Sequence, residues 1–276
     1  MRRTALAALC LAAATTGLTG CLPGGDKADS KPSASRQAGQ HGTDGRTDHS
    51  DAPSTPQEKK KEPFAGLTGG QIAERAVKAT TGASSLRMTG DLPDDESGGT
   101  IRIDMALDKK GECAGTMSLD GEGEAELIKT GDTLYMKYDE AFLRAQSEGE
   151  PKADTDAAVA LLAGKWTKMS ATGADAKDIA TFCDLDSVLG GTEDGHSLAT
   201  RGKTTTVDGT PALTLHEKDR KERHTLYVAT EDEPYVLRLD SLTPGDKGSI
   251  TLSDYNEPVP AQKPSGDVLD LDALSG

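Results

Sequence analysis

Aromatic side chains are scarce in this 276-residue chain, which has three Phe, one Trp and five Tyr. Its core must therefore be walled by Ile, Leu, Val, Met and Ala rather than by rings. Bases are outnumbered too, with 31 Lys and Arg against 46 Asp and Glu, a formal net charge of −15. Such a balance argues against a nucleic-acid partner, whose phosphates are neutralised by Lys and Arg, and against docking through a basic patch on an anionic membrane. No apolar run is long enough to span a bilayer: Ala5 to Gly17 is rich in Ala and Leu but falls short of the roughly 20 residues required. There is no Gly-x-Ser-x-Gly elbow, His-Glu-x-x-His, Cys-x-x-Cys or phosphate-cradling Gly-x-x-x-x-Gly-Lys-Ser/Thr loop. A non-enzyme with no cofactor and no metal is the reading these absences leave.

What is present begins at the N-terminus. Arg2 and Arg3 precede the short apolar segment, and Leu18-Thr19-Gly20-Cys21 closes it. This is the pattern of a bacterial lipoprotein export signal: small residues leave room for a peptidase to cut before Cys21, whose thiol carries a diacylglyceryl group. Two acyl chains anchor stably where one is marginal. The expectation is a signal peptide over residues 1–20, a lipidated Cys21, and attachment to the extracytoplasmic face of the cell membrane through that lipid. Residues 21–66 are Gly, Ser, Pro, Asp and Lys with little that is apolar, so they read as a disordered tether reaching about 35–40 Å. Apart from Cys10 and Cys21 only Cys113 and Cys183 remain, one pair in a compartment where disulfides persist, and they are expected to be bonded.

A single domain is expected over 67–276. Thr68 and Gln71 form a capping-box pattern, and Ile72, Ala73, Ala76, Val77 and Thr80 recur at helical spacing up to Gly82. The period then changes to two: Leu86, Met88, Leu92; Ile101, Ile103, Met105, Leu107; Cys113, Met117, Leu119; Ala125, Leu127; Leu134, Met136. Connections such as Lys110-Gly111 and Gly131-Asp132 are too short for parallel crossovers, so these are antiparallel strands. A helical stretch follows around Ala141-Phe142 and Ala157 to Leu162, then a short strand at Trp166. One amphipathic helix is expected next, capped by Asp175, lined by Ile179, Phe182, Cys183, Leu185 and Leu189, and stopped at Gly190-Gly191. Alternation returns from Thr204 to Tyr255.

Helix, meander, helical insertion and second meander make an order that resembles the LolA-like half-barrel lipoproteins, in particular the actinobacterial LppX/LprG family. The residues that carry it are Ala79-Thr80-Thr81-Gly82 running into Ser85-Leu86-Arg87-Met88-Thr89-Gly90, Gly131 to Lys137, Gly164-Lys165-Trp166, and Ser253-Asp254-Tyr255 leading to Pro258-Val259-Pro260. The resemblance implies an α+β fold: a curved antiparallel sheet, a half-barrel, with helices packed on one face. It further implies an apolar cavity that holds acylated lipid. In this chain the face shared by Ile103, Met105, Met117, Leu134 and Met136 is where such a cavity falls. Periodicity does not separate a cavity from a filled core. Two functions stay open: a carrier that reversibly binds lipid or another apolar ligand, and a non-enzymatic interaction or sensory lipoprotein whose filled domain engages an envelope protein.

Histidines offer no metal site by spacing. His41 and His49 lie in the tether and His196 stands alone, while His216 and His224 could face each other across a hairpin with no third ligand in place.

Overall fold

The computed structural model describes residues 62–94, 98–173, 176–190, 196–219, 222–243 and 246–274. The export signal, Cys21, most of the expected tether and the expected cap Asp175 lie outside the described residues. The first helix, α1 (Gly69–Gly82), opens on the expected capping box: Thr68 accepts from the Gln71 N–H, and the Gln71 side chain accepts from the Thr68 N–H at 3.0 Å. Ile72, Ala73, Ala76 and Val77 form its buried stripe. Gly69 and Gly70 are required where they stand, because a Cβ on either would collide with the backbone of Ser197 to Thr200.

Five strands follow as a meander: β1 (Ser85–Pro93), β2 (Thr100–Asp108), β3 (Cys113–Leu119), β4 (Gly123–Thr130) and β5 (Thr133–Tyr138). The insertion holds α2 (Glu140–Gln146), α3 (Lys152–Leu162), β6 (Trp166–Ser170), α4 (Lys177–Phe182) and α5 (Leu185–Leu189). A second meander comprises β7 (Thr200–Val207), β8 (Thr210–Asp219), β9 (Glu222–Ala229), β10 (Val236–Thr243) and β11 (Asp246–Ser253), and the chain ends in β12 (Val268–Asp270). All twelve form one curved, unclosed sheet in the order β12-β6-β5-β4-β3-β2-β1-β11-β10-β9-β8-β7. Every neighbouring pair is antiparallel except β12 on β6. The α+β half-barrel that the resemblance implies is the fold observed.

Because side chains alternate along a strand, the register assigns every residue to one of two faces. On the inner face, Leu86, Met88, Met105, Leu107, Cys113, Leu127, Leu134, Leu213, Leu215 and Val228 join Ile72, Ala73 and Ala76 of α1 and Leu185 of α5 in one buried core. The outer face carries polar pairs instead, among them Arg87 with Asp104 at 2.6 Å and Lys137 with Glu126 at 2.6 Å.

Two expectations change. The single amphipathic helix is broken in two, because Asp184 leaves the helix to bridge the Asp108 backbone and its side chain accepts from the Ser187 N–H at 2.7 Å, starting α5 afresh. An Asp that can satisfy a new N-terminus competes with helix continuation. Cys183 and Leu185 are still buried, as the stripe implied. His216 and His224 do not face each other: His216 pairs with Thr225, and His224 with Glu217, so the two rings lie on opposite faces of the ribbon. The strand β12 was not expected at all.

Cys113 on β3 and Cys183 beyond α4 are disulfide-bonded, with Cα atoms 5.2 Å apart and a separation of 70 positions in the sequence. The bridge clamps the helical insertion to the sheet. Peptide mapping without reduction should recover the two in one linked peptide. Cys113→Ala and Cys183→Ala should each lower unfolding free energy by about 2–5 kcal/mol in denaturant titrations. Equal stability of variant and wild type would show that the clamp contributes nothing.

Candidate apolar site on the inner sheet face

The inner face is not covered evenly from one end of the strands to the other. At the end bearing the β2–β3 and β4–β5 turns, the disulfide, α5 and the last turn of α1 seal it. Along β2 toward the other end, Leu107 and Met105 are fully buried, Ile103 is 5% exposed, and Ile101 is half-buried. The same gradient runs along β3, from buried Cys113 to half-buried Met117 and Leu119. Across the sheet, Leu92 completes the row of Ile101 and Leu119, and Ile250 and Leu239 lie in the adjacent row with Ile103 and Met117, Leu239 at 37% exposure. This is the open end of the face.

Registers explain why these side chains meet. Leu92 lies opposite Ile101, which lies opposite Leu119; Ile103 lies opposite Met117; and Ile250 lies between Gly90 and Leu239. Gly90, Gly115 and Gly248 occupy inner-face positions on three strands, so their neighbours meet backbone in place of side chain. A Cβ on Gly115 would stand 2.8 Å from Met105 Sδ, and one on Gly248 would stand 3.1 Å from Pro93 Cδ and 3.3 Å from Leu92 Cδ2, so neighbouring side chains pack over both.

All five residues expected to line a cavity lie on this one face: Met105 shares a row with Leu127 and Met136, Ile103 pairs with Met117, and Leu134 sits one row nearer the sealed end. Ile103, Met105, Leu134 and Met136 are buried in the core cluster, however, and only Met117 is half-buried. The solvent-reached apolar surface takes in Leu239 and Ile250, in the row of Ile103 and Met117, and Leu92, Ile101 and Leu119, one row further along. Sequence alternation marked these as core positions and carried no signal of where along a strand the covering helices stop.

The open row becomes polar toward β8. Glu217 and His224 are cross-strand neighbours on the inner face, and the Glu217 carboxylate contacts His196 Nδ1 at 2.7 Å. His224 Nδ1 is buried with no hydrogen-bond partner among the described residues, and its Nε2 is 3.8 Å from Glu222. His196 thus sits in a short 3-10 turn, His196–Leu198, against the sheet. On the other flank Tyr138 stacks on Phe142 of α2 with ring centroids 5.3 Å apart and donates to Met136 Sδ. Burial pushes its phenol up to about 12, so it stays a neutral donor at any physiological pH. Among the described residues no group of three or more His, Cys, Asp or Glu could hold a metal ion, and no helix is long and apolar enough to cross a membrane.

A separate groove of about 310 Å³ lies where the extended segment after β11 crosses the sheet, lined by Arg87, Ala106, Asp254 and Glu257 with Pro258 and Pro260. It is not continuous with the open apolar row.

No protein-family model and no curated protein sequence matches the chain. Among solved structures it is similar to LprF from Mycobacterium bovis, at 16% identity and a TM-score of 0.48, covering 72% of this chain and 97% of that one. It is similar to the Mycobacterium tuberculosis lipoprotein LppX, at 15% identity and a TM-score of 0.45, covering 69% and 97%. A LolA superfamily protein from Nitrosomonas europaea matches at 11% identity and a TM-score of 0.23, covering 72% and 96%. The fold assignment itself rests on strand order and register.

Uneven cover makes a direct prediction. Met136→Trp, in the sealed core, should lower unfolding free energy by about 1–3 kcal/mol through overpacking. Met117→Trp, at the open end, should change it by less than about 1 kcal/mol. Urea titrations of both variants test this, and equal losses would mean the open end is packed like the core.

Proposed function

We propose that this chain is an envelope lipoprotein that reversibly holds the apolar part of a lipid on the open end of its inner sheet face. The observation that supports it is the burial gradient along β2 and β3, which leaves a row of aliphatic side chains reachable from solvent on a face that is otherwise core. Aliphatic walls without rings suit flexible acyl chains, and a concave apolar surface with a few polar groups at its margin is the usual form of a small-molecule site. The margin here is Glu217, His196 and His224, against which a polar head group would lie while its chain crosses Ile250, Leu92 and Ile101.

The remaining parts follow from the sequence. Residues 1–20 serve as the export signal, Cys21 as the lipidated anchor on the extracytoplasmic face, 21–66 as tether and 67–276 as the binding domain. The described end of the tether is held: Arg201 donates to the carbonyls of Pro63, Phe64 and Leu67 and pairs with Glu62 at 3.0 Å. The domain acts as a carrier, not a catalyst. Binding is driven by removal of apolar surface from water, about 25 cal/mol per Å².

Native mass spectrometry of protein purified from its own host should show co-purified lipid. In a fluorescent fatty-acid assay, Ile101→Asp should cut affinity at least tenfold while the melting temperature shifts only a few degrees, because the aspartate stays reachable by water at this end. Wild-type protein that binds no apolar probe and carries no lipid would favour instead a domain with a filled core that engages an envelope protein. Cys21→Ser should release the protein into the medium or leave its precursor uncut. Variant protein that stays membrane-bound would end the anchor assignment.

A further inference from the structure

We infer that the rim of the open end is a docking surface for the lipid bilayer itself, with Leu198 and Leu242 as the side chains that enter it. The inference rests on the anchored-carrier reading above and adds to it which end of the domain meets the membrane.

Five large hydrophobic side chains stand exposed among the described residues: Leu161 at 47%, Leu198 at 76%, Leu239 at 37%, Leu242 at 50% and Leu274 at 60%. Exposed leucines scattered singly are ordinary on any protein. Four of these lie toward the open end. Leu198 ends the turn whose His196 contacts Glu217, on the inner face toward the open end of β8. Leu242 follows inner-face Ser241, which pairs with His224, so its side chain stands on the outer side of the rim, one residue from the end of β10. Leu161 lies three residues before Gly164, whose N–H donates to the Tyr138 carbonyl at the open-end terminus of β5. Leu239 belongs to the apolar row itself. Only Leu274, beyond β12, lies apart.

A second observation says what covers this rim. The chain enters the domain at the same end: Gly69 and Gly70 lie against the backbone of Ser197 to Thr200, and Arg201 clamps Glu62 to Leu67 beside them. A tether fixed there and anchored at Cys21 pulls the open end, not the disulfide-bearing end, toward the bilayer. Electrostatics cannot do this, since the chain carries −15 and would be repelled by an anionic surface. Insertion of uncharged leucines beside the anchor supplies the second membrane contact that orients an anchored domain. Docked this way, the apolar row opens onto the acyl region it would draw ligand from.

The test uses the lipidated full-length protein reconstituted into vesicles of phosphatidylethanolamine and phosphatidylglycerol. Leu198→Cys and Leu242→Cys are each labelled with an environment-sensitive fluorophore, with Lys110→Cys, in the exposed β2–β3 turn at the sealed end, as the comparison. At 198 and 242 the emission should shift to the blue on reconstitution and be quenched by spin-labelled acyl chains, while position 110 reports water throughout. Protein that floats with the vesicles but shows water-like emission at all three sites overturns the docking surface and leaves the anchor standing. Protein that does not float overturns both. A blue shift at 110 with none at 198 and 242 would place the opposite end on the membrane and also overturn it.

Discussion

The pairing of β1 with β11 is the constraint on which the rest of the structure depends. Met88 meets Leu252 and Gly90 meets Ile250 across a gap of about 160 residues in sequence, and this single ladder turns two meanders into one sheet. A slip by one residue would turn Leu86 and Met88 to the polar face and bring Arg87 into the core. The register is pinned at the sealed end by a corner. Asp254 and Asn256 take positive φ and turn the chain back, Asn256 Oδ1 accepts from the Ser84 N–H at 2.8 Å, and Ser85 Oγ donates to the Glu257 carbonyl at 2.6 Å. Tyr255 stacks on Tyr235 at 4.0 Å and its hydroxyl donates to the Val236 carbonyl, while the Val236 N–H donates to Thr80 of α1. One corner thus ties β1, β10, β11 and the first helix together. A ladder of such separation forms late and slowly, since loop closure must precede the contacts that reward it.

The asymmetry of the inner face follows from where that corner sits. Four of the nine aromatics form two stacks, the Tyr235–Tyr255 corner and the Tyr138–Phe142 pair against α2, and Trp166 lies on the outer face under Lys137 at 5.8 Å. The disulfide and α5 pack at the sealed end, and α1 runs from the open end down to the corner. A face that would be solid core under a fuller helical layer is, at one end, merely lined. That difference in cover, rather than any special residue, is what leaves this apolar row within reach of solvent.

Much of this was legible in the chain. The capping box at Thr68, the two-residue period of β1 to β5 and the short turns rest on local chemistry, and the pairing of Cys113 with Cys183 rests on their being the one pair left. The break at Asp184 was not legible because helical periodicity continues through it; only a tertiary contact with Asp108 makes the competing cap win. Strand β12 is three residues long and pairs in parallel with a strand 100 residues earlier, which no alternation pattern reveals. For the site, alternation put Ile103, Met105, Met117, Leu134 and Met136 on one face correctly. It said nothing of depth, so the solvent-reached residues proved to be Ile101, Leu119, Leu239 and Ile250 around Met117, with the other four packed beneath.

Photo-crosslinking with a diazirine-bearing fatty acid, followed by peptide mapping, tests most directly whether the open end of the inner face holds an acyl chain. The result expected is that adducts concentrate on peptides containing Leu92, Ile101, Met117, Leu119, Leu239 and Ile250, competed by unlabelled fatty acid. Adducts confined to the outer-face groove beneath Pro258 and Pro260, or spread without competition over the surface, would contradict it.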